Sequence, residues 1–231
     1  MDIVKIKSPL PVTEYAAQWN ISIGRAIWKE SDKIDKIRNW LINNEKSILE
    51  KYPPFNDGGT GLGYDSVTSR FGRYNVFDFI DECPELADLL KFLRLEWIEF
   101  VSKDHTSHLD LFFVCWFNIV RDGQKIKEHA HGCEPDGYLS GNIHLDNYAT
   151  NTYYRTPYNP FTKIPFPNVK GGFTLFPGYV PHSTDEYYGT EPRVSIAFDL
   201  RIPSSVAPDG ALRALPFMNH QIFNDVTRDI E

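Results

Sequence analysis

The 231-residue chain has little of what marks several common protein classes. It has three cysteines, Cys83, Cys115 and Cys133, with no CxxC pair among them. An odd, scattered set argues against a disulfide framework and fits a reducing compartment. No apolar run approaches the roughly 20 residues that a membrane-spanning helix needs. The first residues, Met1 to Tyr15, hold no long apolar segment, so no secretory leader is expected. Excess basic charge is also absent, since 24 Lys and Arg against 31 Asp and Glu leave a formal net charge of −7. That balance disfavours a protein whose main task is neutralising phosphates. The expectation is a cytoplasmic chain without membrane or nucleic-acid partners, its oligomeric state open.

Aromatic residues are plentiful at 14%, with 12 Tyr and 16 Phe, which favours strands and a packed pocket over disorder. Two segments carry a helical period. Between Ser31 and Tyr52 the apolar residues Ile34, Ile37, Trp40, Leu41, Ile48 and Leu49 recur near every 3.6 positions. Ser31 with Asp32 supplies a start signal and Pro53-Pro54 a stop. A second helix is expected from Pro84, at a first helical position, to about Lys103. Between them, Asn56-Asp-Gly-Gly-Thr-Gly-Leu-Gly63 fits no phosphate-binding pattern and reads as a flexible loop.

Beyond residue 109 the chain turns to short β-rich runs. Strands are expected near Leu111–Val120, Tyr138–Asp146, Gly172–Phe176 and Arg193–Arg201, with shorter ones at Lys125–His131 and Val180–Tyr187. Such a series predicts a sandwich or barrel. The stretch from Asn147 to Gly171 is long for a plain connection and reads as disorder or a functional lid. A short helix is expected at His220–Arg228.

Three features on the β-rich half carry chemistry. In His129-Ala-His131, residues two apart on a strand share a face, so two imidazoles can reach one metal. His182 follows 51 residues later in Phe-Pro-Gly-Tyr-Val-Pro-His182-Ser. Arg193 and Ser195 stand 11 and 13 residues further on, also on one face. A guanidinium fork beside a hydroxyl suits a carboxylate.

This order resembles the Fe(II)/2-oxoglutarate oxygenases, in particular the prolyl-hydroxylase-like branch and its phage and marine-bacterial relatives. The resemblance covers Leu111 to Arg201. Tyr138-Leu-Ser-Gly-Asn-Ile-His-Leu145 looks like the family's SGxYYL strand, and Gly172-Phe-Thr-Leu-Phe-Pro-Gly178 like its LFP turn. The resemblance implies an α+β fold, a double-stranded β-helix (jelly-roll, cupin-like) core with the N-terminal helices packed on its major sheet. It divides the chain into an N-terminal flank (1–108), a catalytic core (109–201) and a C-terminal extension (202–231). It implies Fe(II) held by His129, His131 and His182, and 2-oxoglutarate held by Arg193 and Ser195, with Asn118, Ile143 and Leu145 facing it. The implied partners are O2 and a substrate that is a protein side chain or a small molecule, hydroxylation being the implied outcome. A phage-encoded relative would act in its host's cytoplasm.

One departure matters, because His131 stands where the family carries a carboxylate. Three imidazoles leave Fe(II) its full charge, which a 2-oxoglutarate dianion can balance, but they suit zinc, copper and nickel as well. Glu128, Glu134 and Asp136 are alternative oxygen ligands. Two other classes remain open at this point: a cupin-like three-histidine metalloprotein without 2-oxoglutarate, and a non-enzymatic metal-binding β-sandwich. The first needs no carboxylate-binding arginine, and the second has a closed coordination shell.

Overall fold

Leu111–Val120 and Arg193–Arg201, buried almost throughout, pair along their whole length and form the centre of the fold. The computed structural model describes residues 1–104, 110–132, 137–156, 162–203 and 212–228. Among these the elements run β1 (Asp2–Lys7), β2 (Asn20–Ile27), α1 (Ser31–Lys51), α2 (Glu85–Asp104), β3 (Leu111–Val120) and β4 (Leu139–His144). They continue with β5 (Asn151–Arg155), β6 (Lys163–Pro167), β7 (Gly172–Pro177), β8 (His182–Thr184), β9 (Arg193–Arg201), β10 (Leu215–Met218) and α3 (His220–Thr227).

Seven strands form one antiparallel sheet in the order β1-β2-β7-β4-β9-β3-β10. Three more, β6-β5-β8, form a smaller sheet. The helices cover one face of the large sheet, where Trp97 and Phe100 of α2 join Phe113, Phe117, Phe198 and Phe217 in the main core. A second core, with Ile21, Ile23, Tyr154, Phe166 and Phe176, lies between the sheets. Helix on sheet on sheet buries both faces of the large sheet, which explains why β3 and β9 read as continuous apolar runs rather than as clean alternation.

The apolar period of α1 buries Ile34, Ile37, Leu41 and Ile48 as expected. Its start differs in detail. Ser31 is already helical, and the cap residue is Glu30, without a side-chain hydrogen bond. Pro84 likewise lies just outside α2.

Several strands were not anticipated. β1 and β2 extend the large sheet from the N-terminal segment, and β10 adds its opposite edge from the tail. The Asn147–Gly171 stretch, expected as disorder or lid, holds β5 and β6 (157–161 lie outside the described residues). Pro165 and Pro167 disguise β6, and they are tolerated there because β6 is an edge strand. Conversely, Lys125–His131 forms no strand and contributes one isolated bridge, His129 to His182.

Candidate metal centre

That bridge builds the site. The His129 amide donates to the His182 carbonyl (3.1 Å) and the His182 amide to the His129 carbonyl (2.9 Å), which fixes the two residues side by side at the end of the small sheet. The His131 amide donates to the Gly178 carbonyl (2.8 Å) and brings the third ring in. Ring centroids stand 4.4 Å (His129–His182), 5.0 Å (His131–His182) and 5.1 Å (His129–His131) apart. One ligand atom from each ring lies within 4.8 Å of the others.

Each ring is oriented through Nδ1. His129 Nδ1 lies 2.9 Å from the Lys127 carbonyl and His182 Nδ1 3.1 Å from the Val180 carbonyl. A carbonyl oxygen only accepts, so Nδ1 carries the hydrogen and Nε2 keeps its lone pair. His131 Nδ1 is 2.5 Å from Asp199 Oδ1, which also accepts from Ser140 Oγ at 2.7 Å. His131 Nε2 is buried and finds no hydrogen-bond partner among the described residues. A buried polar atom without a partner is costly. A divalent cation held by three imidazole nitrogens resolves that cost, so the residues fit a metal of the iron, zinc or nickel kind.

The electrostatics agree. Burial pushes His129 down to about 4, assisted by neighbouring His131, and pushes His182 well below its ordinary value, assisted by both other rings. Both rings are thus neutral, as ligation requires. Burial alone would raise the Asp199 carboxyl, but His131, Ser140 and Arg201 more than offset it and keep the carboxylate charged.

The remaining polar groups come from the face of the large sheet that looks away from the helices. Strand register sets them in rows. Asn118, Ser195 and His144 lie opposite one another across β3, β9 and β4; Trp116, Ala197 and Asn142 form the next row. Asn118 Oδ1 accepts from Thr68 Oγ1 (2.7 Å), and its amide reaches Ser195 Oγ at 3.5 Å. Asn118, Ser195 and His144 line one cavity with the three histidines. Arg193 heads the same face of β9. It is 2% exposed and donates to Thr184 Oγ1 (2.8 Å) and Thr150 Oγ1 (3.3 Å). Burial lowers it to about 10, against the opposing pull of Tyr148, Asp185 and Tyr187, so it is charged at neutral pH. Among the described residues no carboxylate stands within ion-pair distance of it.

One expected set is turned the other way. Ile143 lies opposite Ile196, and both are buried with Leu145 in the helix-side core. A strand alternates faces, so Ser140, Asn142 and His144 point inward. That polar row is inside because the small sheet covers it. His144 is buried, and burial with nearby Arg193 lowers it to about 3.

The carboxylate alternatives separate as well. Glu128 faces Arg155 (2.9 Å) and Lys163 (3.8 Å), while Glu134 and Asp136 lie outside the described residues. Asp199, Thr150, Thr184 and His144 were missed. For Asp199 a signal existed: Arg193, Ser195, Ala197 and Asp199 alternate along one strand face.

The glycine-rich stretch is an ordered turn. The Asp57 carboxylate accepts from the amides of Gly59 (3.1 Å), Gly61 (3.0 Å) and Gly63 (3.2 Å), an arrangement that needs their positive φ. With Phe71 and Trp116, Asp57 and Gly58 line an outer cavity of about 210 Å³ that opens onto His129 and His131.

This architecture has known counterparts. Over 78% of this chain and 92% of the other, it superposes on a Pseudomonas putida prolyl-4-hydroxylase with a TM-score of 0.52 at 12% identity. It matches the non-haem α-ketoglutarate-dependent carbocyclase SnoK from nogalamycin biosynthesis over 79% of each chain, with a TM-score of 0.52 at 10% identity. The chain has the double-stranded β-helix fold of these oxygenases. No family model and no curated protein matches the sequence. At such identities the likeness establishes the oxygenase fold and leaves the chemistry to the site. In this double-stranded β-helix the three histidines line a cavity with Ser195 and Thr184, and Arg193 is buried behind Thr184. No helix among the described residues is long and apolar enough to cross a membrane.

Proposed function

We propose that the chain is an Fe(II)- and 2-oxoglutarate-dependent oxygenase that hydroxylates an organic substrate. One observation carries the reading. Three imidazoles, each held through Nδ1, converge on one point, and Thr184, which lines the same cavity, accepts from a buried guanidinium that has hydroxyl partners and, among the described residues, no carboxylate. A structural metal site has no use for the second feature, and neither does a three-histidine enzyme without a carboxylate cosubstrate.

His129, His131 and His182 would hold the iron, and Arg193 with Ser195 the distal carboxylate of 2-oxoglutarate. When bound, the pair supplies activation of O2 coupled to oxidative decarboxylation of 2-oxoglutarate. The chain's own residues do the rest. The Lys127 and Val180 carbonyls keep two rings aimed and in the correct tautomer. Asp199 holds the third ring in place through Nδ1. The carboxylate that the family places on the metal thus sits one ring behind it. Arg193 presents a fixed fork that does not titrate in the working range, and Thr150 and Thr184 keep it from rotating. Phe71 and Trp116 give the outer cavity an aromatic wall. A protein side chain as the substrate is supported by the likeness to prolyl hydroxylases alone.

The test is anaerobic addition of Fe(II) and 2-oxoglutarate, followed by visible absorption. A charge-transfer band in the parent, weakened in Arg193→Ala and absent in His182→Ala, supports the reading. No band in a protein shown to hold Fe(II) ends it, and directs attention to metal chemistry without 2-oxoglutarate.

A further inference from the structure

The outer cavity carries its own recognition chemistry. One wall is aromatic: Trp116 stacks on His131 (centroids 5.7 Å, planes 29° apart), and Phe71 leans on Trp116 at 5.6 Å. The polar groups around it are unequal. The Asp57 carboxylate is taken up by three glycine amides, and Asp199 Oδ1 by His131 and Ser140. Arg201 is different. It is the one Lys or Arg among the described residues that line this cavity, and its guanidinium forms a long ion pair with Asp199 Oδ2 at 3.7 Å. Its Nε is buried and finds no hydrogen-bond partner. A guanidinium has five donors in a planar fork that matches a carboxylate, and among the described residues Arg201 has the Asp199 ion pair as its partner and no close hydrogen bond.

Size and charge narrow the occupant. About 210 Å³ is below the roughly 300–1,000 Å³ of pockets that take drug-sized ligands. The glycine amides that would cradle a phosphate are already engaged by Asp57, and the Asp199 carboxylate nearby disfavours a dianion. Resting on the oxygenase reading above, we propose that the substrate is a small monocarboxylic acid with a flat apolar body, the body against Trp116 and Phe71 and the carboxylate on Arg201. Arg201 is thus a specificity-determining residue, distinct from Arg193, which serves the cosubstrate. The body of the acid then lies beside His129 and His131, where oxidation takes place.

The experiment compares phenylacetate with its neutral amide, phenylacetamide, as probes of one shape. Ligand-observed NMR titration of the metal-free protein gives affinities for the parent, Arg201→Gln, Arg201→Lys and Arg193→Met. The expected result is a preference for the acid of about tenfold or more in the parent, the scale of a charge-assisted hydrogen bond. That preference disappears in Arg201→Gln, is partly kept in Arg201→Lys and survives in Arg193→Met. Equal affinity for acid and amide, no binding of either at millimolar concentration, or a preference that persists in Arg201→Gln overturns the proposal. In parallel, phenylacetate is added to the anaerobic Fe(II)/2-oxoglutarate complex. A charge-transfer band that phenylacetate perturbs in the parent and leaves unchanged in Arg201→Gln supports the assignment. A band perturbed equally in both variants removes Arg201 and leaves the oxygenase reading standing. A missing band removes that reading and, with it, the assignment of the acid as a substrate, while the NMR arm still reports whether Arg201 selects anions.

Discussion

Replacing Arg193 by Met separates the stability of the fold from its affinity for a cosubstrate. Burial lowers this guanidinium to about 10, a penalty on the order of 3 kcal/mol for holding the charge inside the unliganded protein. Its two hydrogen bonds to Thr150 and Thr184 return about 1–2 kcal/mol each. Met fills much of the volume and removes both contributions. The unliganded variant should therefore melt within about 4 °C of the parent, since about 1 kcal/mol moves a domain of this size by 2–4 °C. Binding should behave differently. Truncating one partner of a buried charge pair costs roughly 2–5 kcal/mol, so affinity for 2-oxoglutarate should fall about 30-fold or more. At 2-oxoglutarate near 100 times its Kd, the parent gains about 2.7 kcal/mol, a melting rise of roughly 5–10 °C, whereas the variant should gain less than about 1 kcal/mol. Thermal melts of the Mn(II)-loaded proteins with and without 2-oxoglutarate measure both numbers. An undiminished ligand-induced rise in Arg193→Met refutes the reasoning.

Asp199→Asn keeps the shape beside His131 but removes the charge. Affinity for Fe(II) or Co(II) should fall about 10- to 100-fold by competition with a chelator, whereas unchanged affinity removes Asp199 from the site. The metal-free protein should also lose stability in acid. His129, His144 and His182 all titrate below their ordinary value when folded. Below pH 6.5 the unfolded chain takes up protons that the folded chain refuses, so stability present above 6.5 is lost as pH falls toward about 4. Each histidine contributes about 1.4 kcal/mol per pH unit. Urea titrations between pH 6.5 and 5 should show this slope, reduced by one histidine's share in His144→Leu; a slope of the opposite sign counts against the buried placement. Gly171→Ala tests the fold. Its φ is +73°, and an added Cβ would stand 2.1 Å from the Trp28 carbonyl oxygen, costing about 3 kcal/mol and roughly 6–12 °C of melting temperature. A variant that melts with the parent contradicts this backbone path.

The sequence disclosed the elements whose signals are local. The helical period of α1 and α2, and the long runs of β3 and β9, predicted their positions to within a residue or two. The His129-Ala-His131, His182 and Arg193-Val-Ser195 pattern likewise named three histidines and a serine that line one cavity, and an arginine that bonds to Thr184 of that cavity. What it hid depends on partners far along the chain. β1 and β2 are short and half-exposed, and nothing local shows that β2 will pair with β7 some 150 residues later. The facing of β4 could not be read because its apolar and polar sets alternate equally well; only the cover provided by the small sheet decides that His144 is inside and Ile143 against the helices. Asp199 shares the strand face of Arg193 and Ser195, but that alternation does not disclose what it does. Its role comes from the approach of His131, 68 residues earlier in the chain.

The most direct test of the account is anomalous diffraction from crystals soaked with Mn(II) and 2-oxoglutarate. The account predicts one ion bound by Nε2 of His129, His131 and His182, the remaining positions open to the cosubstrate, and the far carboxylate of 2-oxoglutarate on Arg193. An ion closed into a shell of four protein ligands, or 2-oxoglutarate bound away from Arg193, would contradict it.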